Sequence, residues 1–182
     1  MRVVAGKYRG FQLEGPKGSN TRPTDNKIKE AIFDMLYPIK TDSTALDLFS
    51  GSGQMGIEFL SRDLDFVYLN EIDRNTFKIL EKNLSKLDTN NFKVSKSDFK
   101  IALLNYKNKG VKFDYIFLDP PYNTDFLAES IKLIMDYELV NEDGIVITES
   151  DKDLKFDDDY DLYLIKEKTY GRKYVNIYLK WK

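Results

Sequence analysis

The sequence predicts an α/β fold: a mostly parallel, seven-stranded sheet with helices on both faces, an antiparallel hairpin at its C-terminal end and a short β-hairpin in front. Three observations carry this. From Thr44 to Thr148, short apolar runs alternate with helical periodicities, and strand–helix alternation over short connections builds a parallel sheet covered on both sides. The alternation then stops, leaving two strand-like runs on either side of Tyr170-Gly171-Arg172. Finally, Gly51 and Gly53 follow the first core strand, where the chain must turn tightly into a helix.

The elements follow in order. Val3 and Val4, then Phe11 and Leu13, suggest a hairpin around Lys7-Tyr8-Arg9-Gly10, and Glu14 to Thr21 reads as loop. Ile28, Ala31, Ile32, Met35 and Leu36 fall on one helical face, with Pro23 and Thr24 suited to its start and Pro38 just past its end. Strands are expected at Thr44 to Leu48, Phe66 to Asn70, Phe92 to Ser95, Tyr115 to Leu118 and Gly144 to Thr148. Helices are expected at Gln54 to Leu60, Arg74 to Leu87, Phe99 to Tyr106 and Phe126 to Tyr137. Leu162 to Lys166 and Val175 to Trp181 form the closing hairpin. At 182 residues this is one ordinary domain, with residues 1–23 a basic extension and 24–182 the core.

Composition excludes several chemistries. Hydrophobic residues make up 42% of the chain, enough for a sizeable core. There is no Cys and no His, so no disulfide, thiolate nucleophile, thiolate metal ligand or imidazole base is available. No metal is expected. Carboxylates, backbone groups, aromatics and cations remain. No apolar stretch reaches the length of a membrane span, and the first residues lack the apolar segment of a secretory signal. A cytoplasmic monomer without membrane contact is the simplest expectation.

The net charge of −2 hides an asymmetry. The first 29 residues carry Arg2, Lys7, Arg9, Lys17, Arg22, Lys27 and Lys29 against Glu14 and Asp25. The last stretch carries Lys166, Lys168, Arg172, Lys173, Lys180 and Lys182 against Glu167. Such runs are solvated faces in many proteins; here they also suit two ends that touch a polyanion.

In open sheets, ligands bind beyond the carboxyl ends of the strands. Asp47, Glu71, Asp98 and Asp119 each lie at or just past such an end, although some acids there serve only to cap helices. The segment Asp47-Leu48-Phe49-Ser50-Gly51-Ser52-Gly53 brings backbone N–H groups and a helix N-terminus to one spot. Gly51 to Gly56 also fits the dinucleotide pattern G-x-G-x-x-G, with Glu71 twenty positions after Gly51. Asp47 favours a cationic ligand over a diphosphate. Glu71 suits two ribose hydroxyls; Ile72 adjoins it. Asp98 suits an adenine amine, with Phe99 available to its ring.

Asp119-Pro120-Pro121-Tyr122 follows the apolar run Tyr115 to Leu118. An aromatic exocyclic amine is a poor nucleophile because its lone pair is delocalised into the ring. Accepting its N–H bonds returns electron density to nitrogen, which Asp119 and the Pro120 carbonyl can do. Pro120 and Pro121 stiffen the loop, and Tyr122 offers a face for stacking a base. Guanine presents adjacent N1–H and N2–H donors that match a carboxylate. Adenine presents a donor beside an acceptor, which Asn would match better. The plain alternative is a Pro-Pro break after a buried strand.

In this order, the glycine and Pro-Pro motifs resemble S-adenosylmethionine-dependent amino methyltransferases. Most of the chain resembles the bacterial RsmD-type guanine-N2 methyltransferases of small-subunit ribosomal RNA. The resemblance rests on Arg2-Val3-Val4-Ala5-Gly6-Lys7-Tyr8-Arg9-Gly10, Thr21-Arg22-Pro23-Thr24, Lys29-Glu30-Ala31-Ile32-Phe33, Asp47 to Gly53, Glu71-Ile72-Asp73, Phe117 to Tyr122 and Tyr170-Gly171. It implies a Rossmann-like class I fold, S-adenosylmethionine as cofactor, and methylation of one guanine of 16S rRNA in an assembled or assembling subunit. It departs at Ser50, where Ala is commoner, at Gln54-Met55, and at Phe99. Arg2, Lys7, Arg9, Arg22, Arg172 and Lys173 are then expected to hold RNA phosphates. An adenine-N6 methyltransferase shares both central motifs, and a protein-glutamine methyltransferase normally begins the second with Asn. An NAD-binding oxidoreductase fits the glycines but leaves Asp119 to Tyr122 idle. A non-catalytic RNA-binding module explains only the basic ends.

Overall fold

The structure, a computed structural model, describes residues 1–16, 23–157 and 160–181. Arg22, Thr21 and Lys17 therefore lie outside the described residues. The elements run α1 (Pro23–Leu36), β1 (Thr44–Asp47), α2 (Gln54–Ser61), β2 (Phe66–Asn70), α3 (Arg74–Leu84) and β3 (Phe92–Ser95). They continue with α4 (Phe99–Asn108), β4 (Phe113–Leu118), α5 (Phe126–Asp136), β5 (Val140–Ser150), β6 (Leu162–Tyr170) and β7 (Lys173–Lys180). The sheet order is β3-β2-β1-β4-β5-β7-β6. Strands β1 to β5 are parallel; β7 runs antiparallel between β5 and β6. This is the Rossmann-like α/β sheet the alternation predicts, with the closing hairpin in place. No helix among the described residues is long and apolar enough to cross a membrane.

Two apolar layers cover the sheet. Ile28 and Ile32 of α1, Ile57 and Phe59 of α2, and Leu80 of α3 pack on one face. Leu103 of α4 and Ile131 and Ile134 of α5 pack on the other. The chain leaves β1 for β2 and β3, then returns to β4 on the opposite side of β1. The resulting switch point lies between the C-terminal ends of β1 and β4, where the helices diverge and a crevice opens.

Several boundaries differ from expectation. Helix α3 stops at Leu84, because Lys86 and Leu87 N–H groups bond three residues back, to Asn83 and Leu84, and tighten the last turn. Strand β5 begins at Val140; its pairing with β4 shifts register between Phe113 and Tyr115, absorbing the turn around Asp143 (φ 58°). The N-terminal hairpin is minimal, with one isolated bridge, Arg2 to Gln12.

That hairpin is held by side chains more than by its own ladder. Glu58, fully buried in α2, accepts from the Val4 N–H at 3.1 Å and the Ala5 N–H at 3.0 Å. It also pairs with Lys29 Nζ at 3.1 Å and with Arg62. Lys29, itself 3% exposed, donates to the Arg2 carbonyl at 2.7 Å. The Lys7 N–H bonds the Ser61 carbonyl at 2.8 Å. At Gly6 (φ 78°) a Cβ would stand 1.7 Å from that carbonyl oxygen, so only glycine lets the hairpin dock.

Candidate active site

The crevice holds two adjoining cavities, of about 310 and about 520 Å³, that share Phe49, Gly51 and Asp119 in their walls. The first is lined by Asp47, Ser50, Phe117, Glu149 and Lys173, with Met1 and Pro16 from the two ends of the hairpin segment. The second is lined by Glu71, Ile72, Asp98, Phe99, Pro120, Pro121 and Tyr122. Every described member of the expected cofactor and catalytic sets except Gly53 thus reaches a cavity wall; Gly53 instead caps α2.

The glycine segment is shaped by local geometry. Ser50 Oγ donates to the Asp47 carbonyl at 2.7 Å, and the Ser50 N–H bonds the Asn70 carbonyl. Gly53 caps α2 in the left-handed region, φ 89°. At Gly56 a Cβ would meet Leu69 Cδ2 at 2.3 Å, so α2 approaches β2 only because that position is glycine. All of α2 from Met55 to Ser61 is buried, which anchors the N-terminus that faces the cavity.

Asp47 is 1% exposed. Its Oδ2 accepts from the Gly56 N–H at 2.9 Å, while its Oδ1 has no hydrogen-bond partner. Burial pushes its pKa up to about 7, against the opposing Gly56 bond and with some help from the Glu71 charge. A buried, half-satisfied carboxylate on a cavity wall is costly alone and suits a cationic ligand. Glu71 accepts from the Gly51 N–H at 2.9 Å and the Asp73 N–H at 2.7 Å. Its pKa is raised, chiefly by burial. A carboxylate has acceptor capacity beyond these bonds, which suits neighbouring hydroxyls. Asp98 caps α4 through the Lys100 N–H at 2.8 Å, and Phe99 packs against Phe49 and Phe126 at centroid distances of 5.4 and 5.1 Å.

Asn70 is a residue of the site's rim that sequence reasoning missed. Its amide donates to the carbonyls of Leu48 and Ser97, and its oxygen accepts from Ser95 and Ser97. These bonds tie the ends of β1, β2 and β3 into one rim. Its position one residue before Glu71, closing an apolar strand, was the available signal.

The Asp119 loop leaves β4 with Pro120 buried and Tyr122 41% exposed. Thr124 Oγ1 closes it onto the Pro121 carbonyl at 2.7 Å, and Asn123 takes φ 61°. Glu149 and Lys173 join this corner as an ion pair. Burial acts to lower the Lys173 pKa, but the Glu149 hydrogen bond and charge, helped by Asp119, leave it raised. The Tyr122 pKa is raised by burial first and by the Asp119 charge second, while the Lys173 charge opposes them. The structure therefore places Lys173 inside the cavity, not among the surface cations with which the sequence grouped it. Arg2, Arg9 and Arg172 are exposed, and Lys7 pairs with Asp63 at 3.3 Å. Arg2 and Arg9 line one small cavity of about 140 Å³ with Glu30.

A Rossmann-like sheet with a glycine turn, the Glu71 and Asp98 carboxylates and an Asp-Pro-Pro-Tyr loop around its switch-point crevice is that of the S-adenosylmethionine-dependent methyltransferase class. The orphaned Asp47 oxygen and the Glu71 carboxylate fit that cofactor's cationic and ribose ends. Comparison with known proteins narrows the class. Residues 1–179 match the family described as "Conserved hypothetical protein 95". The chain is 36% identical to YlbH of Bacillus subtilis over 182 residues, 99% of both chains. It is 34% identical to ribosomal RNA small subunit methyltransferase D of Escherichia coli K12 over 151 residues, 83% of this chain and 75% of that one. The solved structure of Escherichia coli yhhF is similar with a TM-score of 0.88 and 31% identity, covering 100% of this chain and 98% of the other. The chain belongs to this family, the RsmD family.

Proposed function

We propose that this protein transfers a methyl group from S-adenosylmethionine to the exocyclic N2 amine of a guanine in small-subunit ribosomal RNA. The rRNA assignment follows the relatives named small subunit methyltransferase D. The observation that carries the chemistry is Asp119 on the wall shared by the two cavities, with Asp47 on the wall of the first and Glu71 on the wall of the second.

When bound, S-adenosylmethionine supplies an electrophilic methyl group on a sulfonium. Asp47, Glu71 and the N–H groups at Gly51 would hold its methionine and ribose parts, with Asp98, Ile72 and Phe99 around the adenine. Asp119 and the Pro120 carbonyl accept the N–H bonds of the target amine. That raises electron density on nitrogen and gives the displaced proton an acceptor at Asp119. Tyr122 stacks on the base. Pro120 and Pro121 keep the loop rigid, so the amine is presented without a search. Such positioning contributes roughly 7–11 kcal/mol in favourable systems. A guanine inside folded RNA must leave its stack to reach this corner. Labelled S-adenosylmethionine offered with undermodified small subunits, free rRNA or DNA tests the reading. Label is expected in the small subunits; label in DNA alone contradicts it.

Asp47 makes cofactor binding pH-dependent. Its folded pKa, about 7, lies above the ordinary 3.8. The neutral form is therefore favoured by the fold, and its contribution to stability is full at acid pH and lost as pH rises through about 7. A cationic ligand favours the ionised form. Affinity is expected to fall toward tenfold per pH unit below about pH 7 and to level off above it. Asp47→Asn should flatten most of that slope in a calorimetric titration series; an unchanged slope would remove Asp47 from the cofactor site.

Arg2 and Arg9 serve docking in this reading. Arg9→Gln should weaken subunit binding and reduce the magnitude of the log K against log salt slope by about 1, with cofactor affinity as before. Filter binding at several salt concentrations measures this, and identical binding curves would assign Arg9 elsewhere.

A further inference from the structure

We propose that Glu149 and Lys173 are the base-reading pair of this site, holding the N1–H and O6 of the target guanine while Asp119 takes its N2 amine. The inference rests on the guanine-N2 reading above and adds the residues that give it base specificity.

The sheet register builds the arrangement. Leu118 pairs with Thr148 across the parallel β4 and β5 strands, so Asp119, the first residue past β4, follows at the level of Glu149 in β5. Asp47 pairs with Phe117, which shares a face with Asp119 through the strand's two-residue alternation. Glu149 pairs with Val175 of β7, and Lys173, two residues earlier, shares that face. Asp47, Phe117, Asp119, Glu149 and Lys173 accordingly all line one cavity. Glu149 is 5% exposed, and Lys173 bonds it directly. The Lys173 charge also acts on Tyr122, the residue placed to stack on the base.

Because β4, β5 and β7 are neighbours in that order, the corner presents an acceptor, an acceptor and a donor in sequence. Guanine's pairing edge presents N2–H, N1–H and O6: a donor, a donor and an acceptor in the same sequence. The three side chains thus offer the pattern that cytosine offers in a base pair. Adenine meets the opposite polarity. Its N1 is an acceptor facing the Glu149 carboxylate, and it has no O6 for the Lys173 ammonium. Base-edge pairs of this quality discriminate by roughly 5- to 150-fold each. The ion pair has a structural consequence as well: Lys173 neutralises a buried carboxylate when no base is present, so the site is ready without an uncompensated charge.

The test compares two targets in small subunits reassembled with rRNA carrying either guanosine or 2-aminopurine ribonucleoside at the modified position. 2-Aminopurine keeps the N2 amine but lacks both N1–H and O6. The unaltered protein should prefer guanosine in kcat/KM by on the order of 100-fold. Lys173→Met should cut the guanosine value about 10- to 100-fold and the 2-aminopurine value by a clearly smaller factor, so the preference narrows. Lys173→Arg, which keeps a cation and a donor, should restore most of the preference. The preference is a ratio within one preparation, so partial misfolding of a variant does not alter it. If both substrates fall together in Lys173→Met and the preference is intact, the pair is structural and the proposal is overturned. If the unaltered protein yields no N2-methylguanosine by nucleoside mass spectrometry, the guanine-N2 reading fails first and this proposal fails with it.

Discussion

Asp119→Ala is expected to lower kcat for methyl transfer by on the order of 10²- to 10³-fold, the range seen when one preorganised polar partner of a reacting group is removed. Cofactor affinity should stay within about threefold. The reason is geometric. Glu71, Asp98 and the glycine turn lie on β1, β2 and β3 and their connections, whereas Asp119 lies past β4. Removing its carboxylate deprives the target amine of its acceptor and leaves the cofactor's polar partners in place. Asp119→Asn retains one acceptor oxygen but adds a donor facing the amine's own N–H, so an intermediate or equal loss is expected. Single-turnover rates with saturating S-adenosylmethionine, beside calorimetric cofactor titration, separate the two effects. An Ala variant within tenfold of the unaltered rate would take Asp119 out of the chemistry.

Glu58→Ala should have the largest effect on stability, a loss of about 3–5 kcal/mol, lowering Tm by roughly 2–4 °C for each kcal/mol in a chain of this size. Glu58 is 0% exposed and Lys29 3%. Truncating the carboxylate strands the buried ammonium and leaves the Val4 and Ala5 N–H groups without their acceptor. Replacing both members by apolar residues, Glu58→Leu with Lys29→Met, should cost less than the single change, because no buried charge is then left alone. Hydrogen exchange should show hairpin amides, Val4, Ala5 and Lys7 among them, losing protection before those of β1 and β4. Chemical denaturation provides the free energies, and a Glu58→Ala loss below about 1 kcal/mol would contradict the anchoring role. Since Met1 and Pro16 line the first cavity, a loosened hairpin should also weaken cofactor binding.

These two residues differ in how legible they were. Asp119 was readable because the signal is local: a β-branched and aromatic run, then an acid and two prolines, leaves little choice but a strand end with a stiff turn. Asp47 and Glu71 were readable in the same way, each closing an apolar run. Glu58 was missed although a cue existed. A helix reading Met55-Gly56-Ile57-Glu58-Phe59-Leu60 is apolar nearly all round, so its one acid must be buried and partnered. Its partners, Lys29 and the Val4 and Ala5 N–H groups, lie on other segments, and no local spacing indicates them. Lys173 groups with the surface cations in the sequence for the same reason. Only the insertion of antiparallel β7 beside β5 brings it to Glu149, and strand order beyond the alternating part of the chain is a tertiary property. Boundaries such as the early end of α3 depend on single terminal hydrogen bonds, which periodicity does not register.

The most direct measurement is nucleoside and fragment mass spectrometry of ribosomal RNA from cells with and without this protein, repeated after treating the undermodified subunits with the purified chain and S-adenosylmethionine. N2-methylguanosine at one position of the small-subunit RNA, absent without the protein and restored by it, is the predicted result. Restoration of N6-methyladenosine instead, or no difference between the two RNAs, would contradict the assignment of Asp119 and its neighbours to a guanine amine.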